Sequence, residues 1–125
     1  MRVGFRILIF KDGKRLYKDD LQGDGVFERA LRYIAEFKYL EATKWLLICE
    51  DSLEKYLLLS LTNLALCQRE QAMEFMLEAK KFSKRYEINF AIEKPLSREI
   101  IAVDRLEVSL IDSLLACQRQ EGALQ

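Results

Sequence analysis

The stretch from Tyr56 to Cys67 most constrains what this chain can fold into. Over these twelve residues only Ser60, Thr62 and Asn63 interrupt a run of Leu, Ala, Tyr and Cys. The run is too long for an ordinary strand and too short to span a bilayer, which needs about 20 residues. Glu54 and Lys55 precede it and Arg69 and Glu70 follow it, so both ends lie in polar sequence. The expected structure is a core helix that is apolar on more than one stripe. Such a helix is stable only where other elements surround it.

The surrounding elements are read from the hydrophobic period. Val3, Phe5, Ile7 and Ile9 alternate with Gly4, Arg6, Leu8 and Phe10, and Asp12-Gly13 is the dipeptide of a two-residue type I′ turn. A hairpin over residues 1–18 follows, with Ile9 facing Leu16 and Leu8 facing Tyr17. A polar link then leads to Asp24, an expected helix cap. Helical hairpins are expected over 24–85. The first helix carries Val26, Phe27, Ala30, Leu31, Ile34 and Phe37 inward, with Glu28, Arg32 and Glu36 as a solvent-side ladder. The second runs from Leu40 to Cys49. The third, capped by Asp51 or Ser52, contains the apolar run, and the fourth extends from Glu70 to Arg85. Residues 87–93 alternate again and predict a third strand, closed by Lys94-Pro95. Ser97 then caps an expected long C-terminal helix over 97–120. The fold class is α+β, mainly α, in a single domain over 1–125.

Composition removes several classes of function. The chain has 125 residues with 20 Lys+Arg against 20 Asp+Glu, which argues against a general polyanion binder. It has no His, the commonest metal ligand and general base near neutral pH. No Gly-rich phosphate loop or nucleophile motif is present, and the acid pairs Asp19-Asp20 and Glu50-Asp51 sit at element ends, where caps belong. An enzyme is therefore not expected, and neither is a cofactor or metal. The three cysteines, Cys49, Cys67 and Cys117, are widely spaced in apolar helical contexts and suit reduced, buried thiols of a cytoplasmic protein. The N-terminal stretch does not read as a signal peptide, and no run is long enough to cross a membrane.

An internal repeat organises the helices. Leu61-Thr62-Asn63-Leu64-Ala65-Leu66-Cys67-Gln68-Arg69 aligns with Ile111-Asp112-Ser113-Leu114-Leu115-Ala116-Cys117-Gln118-Arg119, and Leu31, Ile34 and Phe37 occupy the same three positions thirty residues before the first copy. Chance similarity among Leu-rich amphipathic helices is the alternative. The helix pairs also carry small residues where two helices must approach closely. Ala30 and Tyr33 lead to Ala42, Leu46 and Cys49, while Ser60 and Asn63 lead to Ala72, Met76 and Ala79. Over about residues 26–82 this pattern resembles degenerate tetratricopeptide-like repeats. It departs from them in its spacing of 30 residues, in lacking the usual Trp, Gly and inter-repeat Pro, and in the added hairpin and strand.

That resemblance implies a concave face formed by Phe27, Leu31, Ile34, Leu57, Leu61 and Leu64, where a partner helix or a second copy would dock. All six are apolar, so something must cover them. Either the chain's own sheet and C-terminal helix do so, or another chain does. Leu110, Leu114 and Leu115 are the expected contact of a homodimer closing the last helix. The competing reading is a nucleic-acid accessory protein using Lys80, Lys81, Lys84 and Arg85, with Phe82 and Tyr86 interleaved. Against it, cations at a helix C-terminus meet the helix dipole favourably. The expected function is non-catalytic protein association, as a small adaptor, chaperone-like holder or assembly factor that self-associates.

Overall fold

The computed structural model describes residues 5–82, 88–94, 97–103 and 111–112. Its elements run β1 (Arg6–Lys11), β2 (Lys14–Leu16), a 3-10 turn (Lys18–Asp20), α1 (Val26–Ala35), α2 (Tyr39–Leu47), α3 (Leu53–Ala65), α4 (Arg69–Ala79), β3 (Ile88–Glu93) and β4 (Ile100–Val103). The strands form one antiparallel sheet in the order β2-β1-β3-β4. Two chain-distant hairpins are thus joined along β1 and β3, and four helices lie between them in sequence. The fold is α+β.

Side chains alternate across the sheet, and Leu8 and Ala91 on the face away from the helices are buried as well. Ile7 and Ile9 of β1, Phe90 and Ile92 of β3 and Val103 of β4 share one face through the pairs Ile7↔Ile92, Ile9↔Phe90 and Phe90↔Val103. That face is buried in one cluster with Leu31 and Ile34 of α1 and Leu57, Leu58, Leu61 and Leu64 of α3. Both α1 and α3 pack against β1, α2 packs between α1 and α3, and α4 packs on α3. The central apolar run is consequently enclosed: every residue of α3 except Tyr56 is buried. Its polar members find partners inside. The Ser60 hydroxyl donates to the Ala72 carbonyl at 2.6 Å, the Asn63 amide donates to the Leu59 carbonyl at 2.7 Å, and the Thr43 and Thr62 hydroxyls lie 3.0 Å apart.

The two helix–helix turns share one geometry. Phe37 and Cys67 are left-handed, with φ of 62° and 64°. Lys38 N–H reaches the Tyr33 carbonyl at 2.9 Å, and Gln68 N–H reaches the Asn63 carbonyl at 2.8 Å. These bonds occupy carbonyls that a helix end leaves open. Asp12 and Gly13 have φ of 51° and 78°, the pair of positive values that the expected type I′ turn requires, and Ile9 pairs with Leu16 as expected.

Five local expectations are corrected. Residues 100–103 are strand rather than the start of a helix over 97–120. Arg98, with φ 57°, and the Lys94 N–H bond to the Glu99 carbonyl at 2.9 Å turn the chain back on β3, and Ser97 Oγ accepts from Glu99 N–H within that turn instead of capping a helix. Ile111 and Asp112 are helical, and the rest of the expected C-terminal helix lies outside the described residues. The α1 cap is Gly25, not Asp24. The Leu8–Tyr17 pair is not formed, because β2 ends at Leu16 and Tyr17 N–H is taken by the Asp20 carboxylate at 2.8 Å. The Glu28, Arg32 and Glu36 ladder is not a ladder: Arg32 donates to the Leu21 and Gly23 carbonyls, and Glu36 pairs with Lys38 and Lys18. Cys67 is exposed at its turn and Cys49 is half-buried, so neither is a fully buried thiol; Cys117 lies outside the described residues.

Candidate association surfaces

The six residues of the expected groove come together, but inside the protein. Leu31, Ile34, Leu61 and Leu64 have no exposed surface, Leu57 is 5% exposed, and Phe27 is partly buried against the same cluster. The side chains filling the space in front of them include Ile7, Ile9, Phe90 and Ile92 of the sheet. A partner could reach this face only by displacing the sheet. Each buried aliphatic side chain contributes about 1.5–3 kcal/mol, which makes that displacement costly.

Large apolar side chains remain exposed elsewhere. Leu40, Leu47 and Ile48 lie on the outer face of α2 and at its end, 53–66% exposed, at spacings that put them on one helical stripe with Lys44. Leu40 also borders a recess of about 300 Å³ lined by Phe37, Tyr39, Leu66 and Gln68, between the two helix–helix turns. A second recess of about 330 Å³ lies where Val26 and Phe27 meet Ile48, Cys49 and Ser52. Burial pushes the Cys49 thiol up, against a smaller opposing effect of Lys55. That thiol also donates to the Trp45 carbonyl at 3.3 Å, so it is held as a thiol and not primed as a nucleophile.

The sheet manages its two edges differently. At the β2 edge the strand has only three residues, two of them Lys14 and Arg15. Where β2 has run out, the N–H of Ile7 is taken by the Tyr39 hydroxyl at 2.8 Å. Short strands, charges and covering groups are the usual protections of an edge. The β4 edge is also short, at four residues, but Ile100-Ile101-Ala102-Val103 carries no charge and no Pro. Ladder alternation fixes which groups face outward. Lys94 N–H donates to the Glu99 carbonyl one step beyond the ladder, and Ile7 N–H, opposite Ile92, points away from β3 to Tyr39, so the pairs Ile92↔Ile101 and Phe90↔Val103 are the hydrogen-bonded ones. Ile100 and Ala102 therefore direct N–H and C=O away from β3. Among the described residues no strand pairs with them, and both residues are exposed, Ile100 by 56%. Sequence reasoning missed this edge by reading Ile100 and Val103 as helical. The findable signal was a Pro-containing turn between two short β-branched runs.

The basic segment is only partly described. Lys80 and Lys81 are exposed, and Lys81 pairs with Glu78 at 2.9 Å; Lys84 and Arg85 lie outside the described residues. Phe82 stacks on Tyr56 with ring centroids 5.7 Å apart, and Tyr56 lies 6.3 Å from Phe75, so this aromatic is used within the protein. Of the expected homodimer contact, Leu110, Leu114 and Leu115 all lie outside the described residues. Nearby Ile111 is fully buried in the main cluster, and Asp112 pairs with Arg69 at 3.0 Å.

The α2–α3 connection is held by a buried cation. Lys55, whose side chain is 7% exposed, directs Nζ to the Cys49 carbonyl at 2.8 Å, the Asp51 carboxylate at 3.1 Å and the Leu47 carbonyl at 3.4 Å. The hydrogen bonds from Lys55 and then Tyr56 hold the Asp51 carboxyl below its usual range. Among the described residues there is no group of three acids or cysteines placed to hold a metal, and no helix is long and apolar enough to cross a membrane. No family model, curated protein or solved structure matches this chain.

Proposed function

We propose that this chain is a non-catalytic protein-association module, a small adaptor or assembly factor that pairs with a second copy of itself. The observation that carries the reading is where apolar side chains remain at the surface. With the helix face filled by the sheet, three exposed large aliphatics, Leu40, Leu47 and Ile48, share the outer face and end of α2, and others stand singly at Val26 of α1, Leu77 of α4 and Ile100 of the β4 edge. Exposed apolar side chains gathered on one helical stripe mark contacts with other chains. The helical part is read as two degenerate tetratricopeptide-like hairpins. In support, the turns at Phe37 and Cys67 repeat the same geometry, and Ala30, Ala42, Ser60 and Ala72 are fully buried at the helix contacts.

Sedimentation equilibrium from low to high micromolar concentration tests the reading. The expected result is an apparent mass rising from 14.7 kDa towards twice that value. A constant mass together with no binding of a hydrophobic dye contradicts it. A single-stranded RNA probe separates the competing class. No binding is expected, whereas binding that weakens steeply with salt would favour a nucleic-acid function.

A further inference from the structure

We propose that the outer edge of β4, with which no described strand pairs, is the site at which two copies of this chain join, antiparallel, to continue the sheet from one copy into the next. The proposal rests on the self-association reading and specifies its contact.

The outward groups define the pairing. Each chain presents the N–H and C=O of Ile100 and of Ala102, four groups spaced two residues apart on one edge. This is the pattern that an antiparallel ladder requires of a hydrogen-bonded partner. Only one register within β4 uses all of them. With Ile100 opposite the second copy's Ala102, and Ala102 opposite its Ile100, the two edges exchange four backbone hydrogen bonds. Pairing Ile100 with Ile100 or Ala102 with Ala102 makes two bonds within the strand, and the first of these runs into Arg98, whose φ of 57° breaks the extended chain.

The same register fits the side chains. On the outer face, a large Ile100 meets a small Ala102 on each side of the two-fold axis. On the helix-facing side, the half-buried Ile101 of each copy meets its equivalent across the axis, adding apolar contact next to Ile92 and the main core. Self-complementarity about a two-fold axis is the property an isologous contact demands, and an uncharged strand has no like charges to oppose one another there. The asymmetry of the sheet adds to the argument. The β2 edge is charged and capped by the Tyr39 hydroxyl, while the β4 edge is uncharged, exposes Ile100 and Ala102, and is paired by no strand among the described residues. A four-residue edge buries less than the roughly 1,200 Å² of a stable complex, so the dimer forms reversibly and in proportion to concentration.

Three variants of the full chain test the contact. Ala102→Pro removes an N–H that faces outward and takes no part in pairing with β3, so the fold is retained, as circular dichroism will show, while the dimer is lost. The expected result is at least tenfold weaker self-association in sedimentation equilibrium. Ile100→Lys, at a side chain already in solvent, supplies the same reading should the proline variant fail to fold. Ile101→Cys places two thiols at the non-hydrogen-bonded pair on the axis, where Cα atoms lie about 4.5 Å apart, within disulfide range. Mild oxidation is expected to give a covalent dimer whose linked peptide, identified by mass spectrometry, joins the two introduced thiols. If wild-type dimers form but survive both edge variants, or are dissolved instead by Leu47→Glu or Leu114→Glu, the β4 contact is overturned while self-association stands. If the wild-type chain is a monomer at every concentration, both fall.

Discussion

The Tyr39 hydroxyl stands where a longer β2 would have stood, accepting the Ile7 N–H at 2.8 Å. Burial pushes its phenol up to about 12, against smaller opposing effects of the Ile7 hydrogen bond and Arg6. The unfolded value is near 10. A group raised on folding contributes its full stability below the unfolded value, and that contribution is lost as pH rises through the folded one. Urea denaturation across a pH series is therefore expected to show stability falling between about pH 10 and 12. Tyr39→Phe should be less stable by about 1–2 kcal/mol at neutral pH, since Ile7 N–H loses its acceptor, and should show a shallower alkaline decline. An alkaline decline equal to that of the wild type contradicts the assignment. Glu54 presents the opposite case. It is 3% exposed, and its Oε2 has no hydrogen-bond partner among the described residues. Glu54→Met keeps the volume and removes a buried oxygen that lacks a partner among the described residues, so thermal denaturation should show a gain of about 1 kcal/mol despite the lost interaction with the helix N-terminus. A loss of that size would mean that a donor reaches the carboxylate.

At the scale of elements, the α2–α3 connection depends on Lys55, whose Nζ gathers the Leu47 and Cys49 carbonyls and the Asp51 carboxylate. Lys55→Met leaves those acceptors without their donor and should cost about 2–3 kcal/mol in chemical denaturation, with faster amide exchange across residues 48–52. Unchanged exchange there would show that the loop is held by other contacts. None of this was visible in the sequence, where Glu54 and Lys55 read only as the polar first turn of a helix. The elements themselves were largely readable because their periods differ: alternation marked β1 and β3, and helical spacing marked α1 to α4. The turn at Asp12-Gly13 was readable because its chemistry permits few alternatives. β4 was not, since Ile100 and Val103 are three residues apart and fit a helical face as well as they fit a strand. What decides between them is the turn at Arg98 and the open side of β3, a tertiary fact that no local pattern carries.

For the whole molecule, the six apolar helix residues read as a groove and the alternating strands read as a sheet are two halves of one core. Sequence reasoning recognised that the excess apolar surface along Tyr56 to Cys67 had to be covered. Whether the cover came from the same chain depended on long-range pairing between β1 and β3, residues more than seventy positions apart at Leu8↔Ala91. Closure of that core buries the expected groove, so the proposed association is placed on the α2 surface and the β4 edge instead. The most direct test is residue-resolved amide exchange by NMR at low and high protein concentration. The account predicts that Ile101 and Val103, bonded to β3, and the amides of Leu57 to Leu64 are protected at both concentrations. Ile100 and Ala102 should exchange fast when dilute and become protected when concentrated. Loss of protection along Ile7 to Ile9 and Leu57 to Leu64 on association, with Ile100 and Ala102 unchanged, would contradict it, because the sheet would then be leaving the helices to open the groove.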